Sequence, residues 1–115
     1  MPDYEFYRSR FGGQELTQEE FPRFAREGQA VLDNYMRRYR LVPAAENARE
    51  MTVCQMAEVL AWFEWAGSGG AAGGISVGSV AMTGVKSPDL SRSSKAQELY
   101  RAAGLYFDIY RGADT

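Results

Sequence analysis

Residues able to carry chemistry are few in this chain, beginning with the two that chemistry uses most. The sequence has no histidine, so the commonest general base and the commonest zinc ligand are missing. Cys54 is the only cysteine. It has no partner for an intrachain disulfide, and without histidine a zinc site of the usual kinds cannot be assembled within one subunit. Catalysis would fall to carboxylates, or to Ser or Tyr with Lys86 or Lys95. The best-placed carboxylates, Glu58 and Glu64, are six residues apart, which sets them about 120° apart on a helix and not on one face. The tract Gly67-Ser-Gly-Gly-Ala-Ala-Gly-Gly74 lacks the Gly-Lys-Ser/Thr of a phosphate loop and follows no strand, so it is not a dinucleotide fingerprint. Arg37-Arg38-Tyr39-Arg40 has the basic and aromatic character that binds phosphate or nucleic acid. It equally suits a helix C-terminus, where cations offset the negative end and Asp33 can pair with Arg37 one turn away. No catalytic, cofactor or metal constellation emerges, and the expectation is a protein that is not an enzyme.

The elements that position these residues are organised around Pro43–Ala66, which has no internal Gly or Pro. Pro43 suits a first helical position, and Gly67 opens a stop signal. On a helical wheel Ala45, Ala48, Thr52, Met56, Val59, Leu60 and Phe63 form one apolar face. A second stripe runs through Met51, Cys54, Gln55, Glu58, Trp62 and Trp65, mixing polar with large apolar side chains. A helix apolar nearly all round is either the centre of its own domain or covered by another chain. Met51, Gln55, Glu58, Trp62 and Trp65 are therefore candidate interface residues.

Before this helix, Asp3 can cap a short helix through Phe11, ended by Gly12-Gly13, with Tyr4, Phe6, Tyr7 and Phe11 as an aromatic edge. It is expected to clasp the larger helices or touch a neighbouring subunit. Thr17-Gln-Glu-Glu20 is a capping box, followed by a helix from near Pro22. Phe21, Phe24, Ala25, Gly28, Val31, Leu32, Tyr35 and Tyr39 recur there at helical spacing. Gly28 on that apolar face suggests the close approach of another helix. Leu41-Val42-Pro43 is short enough to bring the next helix back antiparallel.

After the glycine tract, Ile75, Val77, Val80 and Met82 alternate with a change of phase at Gly78-Ser79. One short hairpin or bent arm is expected, and as the only β structure. The segment 67–87 holds seven of the twelve glycines, so ordering it carries a high entropic cost and a partner is the natural source of order. Ser94-Lys-Ala-Gln97 offers another cap, for a last helix through Ala103 that Gly104 ends or kinks. An aromatic-rich end, Leu105-Tyr-Phe-Asp-Ile-Tyr-Arg-Gly112, follows. The whole of 1–115 reads as one mainly α domain: a small antiparallel helix bundle with one short β-hairpin or extended arm at about 67–87.

Composition agrees with such a domain. With 45% hydrophobic and 24% charged residues it is ordinary for a soluble globular protein. The run Val59–Phe63 is too short to cross a bilayer, and the N-terminus lacks the pattern of a secretory signal. A single cysteine fits an intracellular, reducing setting. A net charge of -2 argues against a dedicated nucleic-acid binder.

The order of these pieces resembles a known family. A short N-terminal helix precedes Leu16-Thr-Gln-Glu-Glu-Phe-Pro-Arg-Phe24 and an Arg-rich helix. A second helix begins Val42-Pro-Ala-Ala45, and a Gly/Ser-rich arm is similar to the family's "SESVGDVSVSY". A closing helix is followed by an end close to "GLLYRG". Together they resemble the head–tail connector (head-completion adaptor) proteins of long-tailed double-stranded DNA phages and prophages. Two features depart from the pattern: the arm lacks the usual acidic residue, and extra aromatics stand before Tyr110-Arg111-Gly112. The resemblance implies a structural virion protein without cofactors, assembled in the bacterial host cytoplasm. It implies a homo-oligomeric ring that sits beneath the phage portal protein, extends the DNA channel and meets a head-closure or tail component. Double-stranded DNA would pass without sequence-specific binding. The arm residues Ile75, Val77, Val80 and Met82, with Tyr110 and Arg111 at the end, join the candidate subunit or portal contacts. The competing expectations are a small helical DNA-binding protein, terminase small subunit-like or a regulator, acting through Arg37–Arg40, and another head-completion or tail-terminator protein.

Overall fold

Thr17 and Glu20 cap each other's backbone in the computed structural model, which describes residues 1–67 and 91–110. The Glu20 amide donates to Thr17 Oγ1 at 3.1 Å, and the Thr17 amide donates to Glu20 Oε1 at 3.0 Å. This capping box closes a single turn, and helix α2, Phe21–Arg38, starts immediately after it with Pro22 in its first turn, where a missing N–H costs nothing. The chain begins with a clasp made of α1, Tyr4–Phe6, capped by the Asp3 carboxylate and continued by a wide π-type turn over Tyr7–Phe11. Gly12, at φ +80°, ends it. That left-handed conformation favours glycine.

Strand β1, Arg40–Pro43, leads into helix α3, Ala48–Gly67. Helix α4, Arg92–Tyr106, and strand β2, Phe107–Tyr110, complete the described chain. Arg23 near the start of α2 meets Glu64 near the end of α3, and Phe24 meets Trp65 edge-on. Farther along α2, Gly28 lies against Val53 and Met56. The two helices are therefore antiparallel. A Cβ at Gly28 would stand 3.1 Å from Met56 Cβ and 3.2 Å from the Val53 carbonyl oxygen. The glycine is what allows the two backbones to approach so closely.

Helix α4 packs along α3 on another side. Ser91 caps it by accepting from the Ser94 amide at 3.0 Å, three residues earlier than the cap expected at Ser94. Gly104 neither ends nor visibly breaks it. The helix runs on to Tyr106, and its backbone turns extended at Phe107.

The expectation that the arm at 75–82 holds the only β structure is corrected here. Strands β1 and β2 pair antiparallel, from Arg40↔Tyr110 to Pro43↔Phe107. The Ala44 amide continues the contact by donating to the Tyr106 carbonyl at 2.9 Å. Residues read as a bare connection and an aromatic end are thus a ribbon, with Leu41 and Ile109 packed against the core. Pairing also removes Pro43 from the helix, so α3 begins at Ala48 and Ala45 is exposed. The expected arm itself lies outside the described residues. The anticipated Asp33–Arg37 pair does not form either: Asp33 instead accepts from Gln29 Nε2 at 2.9 Å. Among the described residues the fold is mainly helical, a small helix bundle with one two-stranded antiparallel ribbon. Among the described residues no helix is long and apolar enough to cross a membrane.

Helix α3 is the centre of this bundle. Every residue from Thr52 to Phe63 is buried, because α2, α4 and the clasp all pack on it. One consequence concerns Thr52, whose Oγ1 is buried with no hydrogen-bond partner among the described residues. A buried hydroxyl without a partner is destabilising. Thr52→Val, which exchanges that hydroxyl for a methyl of similar shape, is expected to raise stability by about 1 kcal/mol. The effect should show in urea unfolding as a higher midpoint with an unchanged slope.

Candidate functional site

Within α3, Gln55 and Glu58 are the two long polar side chains of the buried stretch, 2% and 3% exposed. What makes room for them is the clasp. The Tyr7 hydroxyl donates to Glu58 Oε2 at 2.9 Å and accepts from the Glu15 and Leu16 amides, each at 2.9 Å. Its one donor and two acceptor positions are all used. One side chain therefore ties the 15–16 backbone to the middle of α3. Gly13 completes the arrangement, since a Cβ there would overlap the Tyr7 ring. Phe11 stacks on that ring at 5.7 Å and Phe21 packs against it at 4.9 Å.

From the other side Tyr106, on the last turn of α4, donates weakly to Gln55 Oε1 at 3.5 Å. Between the clasp and the end of α4 opens a cleft of about 450 Å³, lined by 11–15, Gln55, Glu58, Leu105 and Tyr106. Burial dominates the electrostatics of its floor. The Glu58 carboxyl is pushed up to about 7, chiefly by desolvation, with Glu15 adding to the rise and the Tyr7 hydrogen bond opposing it. The Tyr7 hydroxyl is raised far above its ordinary range, first by burial and then by Glu58. The Cys54 thiol, wholly buried, is pushed up to about 12 by desolvation. A protonated, inaccessible thiol is a poor nucleophile. The cleft can hold a proton near neutrality or a cation against its carboxyl groups. Among the described residues no group of three or more acidic or cysteine side chains could hold a metal ion.

Tyr7→Phe tests the tie directly. It keeps the ring and strands two amides and one carboxyl oxygen, at least one of those amides buried. A loss of about 2 kcal/mol is expected, measured by chemical unfolding. Faster hydrogen exchange at Glu15 and Leu16 should accompany it.

The candidate interface residues divide into three groups. Gln55, Glu58 and Trp62 are buried inside the subunit, so the chain itself covers the central part of the second stripe, and these three do not form an exposed intersubunit face. Met51 and Trp65, at the two ends of the stripe, are half-buried, and Tyr110 on β2 is exposed. Ile75, Val77, Val80, Met82 and Arg111 lie outside the described residues. Nothing in the sequence pattern marks Tyr7, Glu15 or Tyr106 as site residues. The available signal was the carboxylate of Glu58 among Met, Cys and Trp neighbours, which demanded a buried partner.

Glu64 is separate from this site. It is exposed and paired two-pronged with Arg23, one contact being Nη1 to Oε1 at 2.9 Å. That pairing holds its carboxyl below the usual range. Arg37, Arg38 and Arg40 are exposed where α2 passes into β1. Arg38 lies over the Tyr39 ring and Arg40 over the Tyr110 ring. No family model, curated protein or solved structure matches this chain.

Proposed function

We propose that this chain is a structural ring component of the head–tail connector kind, seated between a phage portal and the tail or head-closure components. The observation that carries the reading is the order of segments along the chain. The clasp, the Leu16–Phe24 capping segment, two long helices, the Gly/Ser-rich arm and the Tyr110-Arg111-Gly112 end follow the family's layout. The helix bundle is the kind of fold that this layout implies. A net charge of -2 suits a conduit, because a strongly basic lumen would retain DNA through its phosphates.

In this reading the chain catalyses nothing, takes no cofactor, and works in the virion after assembly in the host cytoplasm. Its partners are further copies of itself, the portal protein and the next tail or closure component. Met51, Trp65 and Tyr110, together with the arm residues Ile75, Val77, Val80 and Met82 and the terminal Arg111, are the proposed contacts.

Mixing the full chain with the portal protein of the same phage or prophage tests the proposal. Native mass spectrometry should find copies of the chain on the portal oligomer, and electron microscopy should show the portal channel lengthened by a ring. Failure to associate, with salt-dependent binding to duplex DNA that is lost when Arg37, Arg38 and Arg40 become alanine, would establish the rival DNA-binding reading. The Arg38–Tyr39 and Arg40–Tyr110 stacks favour that rival, since basic and aromatic groups alternate on that surface.

A further inference from the structure

We infer that the cleft over Glu58 receives a basic side chain, a guanidinium or an ammonium, presented by a partner protein. The inference starts from a carboxyl that the fold leaves incompletely satisfied. Glu58 is 3% exposed and accepts one hydrogen bond, from Tyr7 to Oε2. Its other oxygen has no donor among the described residues, although a carboxylate accommodates up to four.

Among the described residues, none of the groups facing this carboxyl is a cation. The clasp contributes Tyr7 and the loop after it Glu15. Helix α3 itself adds Cys54 and Gln55, and α4 adds Tyr106. Two acids and several oxygen acceptors therefore converge on one opening, with no positive charge among the described residues to balance them. The desolvation that makes a buried ion pair costly to form has, for Glu58, already been incurred in folding. A cation supplied from outside finds a partner already stripped of most of its water.

The shape of the opening selects among cations. Phe11 and Leu105 stand at the mouth, Leu105 55% exposed. They give the methylene stem of a long side chain an apolar surface while its charged head reaches Glu58. A guanidinium, with five donors in a planar fork, matches acceptors spread over Glu58, Glu15 and Gln14. The inference stands apart from the ring proposal, because any partner bearing such a side chain would satisfy it.

The experiment uses the full chain and N-acetyl-arginine N-methylamide as the probe, with the uncharged citrulline counterpart as control. The Glu58 carboxyl carbon is followed by NMR. The arginine compound should shift that signal saturably, with a Kd of about 1 mM, and the citrulline compound should leave it unmoved. Binding requires the ionised carboxyl, so it should tighten by about tenfold between pH 6 and pH 8. Glu58→Gln, which keeps an oxygen for Tyr7, should weaken binding at least about tenfold, read from the Leu105 and Tyr106 amide signals. Glu15→Gln, outside the Tyr7 hydrogen bonds because only its amide takes part, should weaken it severalfold. Lack of a saturable shift, an equal response to citrulline, or unchanged binding by Glu58→Gln would each overturn the inference.

Discussion

Trp62→Ala and Phe63→Ala are expected to destabilise the isolated subunit to a similar degree, each by about 3–5 kcal/mol. The two side chains lie on different stripes of α3. They are nonetheless equally buried, 6% exposed apiece, and meet edge-on with ring centroids 5.1 Å apart. Phe63 sits beside Phe24 and Leu60. Trp62 belongs to the same continuous core, which extends to Tyr7, Leu99 and Phe107. Truncation at either site removes a large ring and leaves a cavity that neighbouring helices can fill only partly. A domain of this size is stable by about 5–15 kcal/mol, so either change takes a large share of the total. Because the rings touch, the double variant should lose less than the sum. Urea unfolding of the two single variants and the double variant checks this. A Trp62→Ala subunit that unfolds at the wild-type midpoint would place that side chain outside the folding core.

The equal burial of Trp62 and Phe63 also shows where sequence reading reaches its limit. Both stripes of α3 are visible as patterns, because apolar spacing on one helix is local information. What covers each stripe is not local. Glu58 is met by Tyr7 and Gln55 by Tyr106, each 51 residues away in the chain. An apolar second stripe therefore looked as much like a surface for another subunit as like the inside of this one. Elements defined by their own residues were legible: the Thr17–Glu20 capping box, the start of α2 at Phe21-Pro22, the end of the clasp at Gly12, and the close approach at Gly28. The β1–β2 ribbon was not, since each strand is only four residues long and its partner lies 64 to 70 residues away along the chain. The start of α3 followed from the same omission. Pro43 is an acceptable first helical residue until pairing with Phe107 assigns it to a strand. The candidate site has the same limit: Glu58 is visible in the sequence as a carboxylate among apolar neighbours, but the tyrosine that holds it reads as part of an aromatic edge.

Raising the pH from about 4.5 to about 7 is expected to cost the subunit about 3 kcal/mol through Glu58 alone. The carboxyl titrates near 7 in the folded chain, against an ordinary value of 4.5. Between those values the unfolded chain has released the proton while the folded chain still holds it. Stability from this group is therefore full below about pH 4.5, falls through the window, and is constant again above about pH 8. The direction is opposite to that of a paired surface acid. Glu64, held low by Arg23, contributes stability that is lost on acidification instead. Other acids superimpose their own trends, so the informative quantity is the difference between wild type and Glu58→Gln, which share those trends. Glutamine keeps an oxygen for the Tyr7 hydroxyl and carries no charge at any pH. The two proteins should be similarly stable at about pH 4.5, and the variant should be the more stable by about 3 kcal/mol at about pH 8. Urea unfolding across that range measures the gap. A gap that stays flat, or one that favours the wild type as the pH rises, would mean that the folded chain stabilises the ionised carboxylate. Tyr7 would then be supporting a charge on Glu58 rather than a proton.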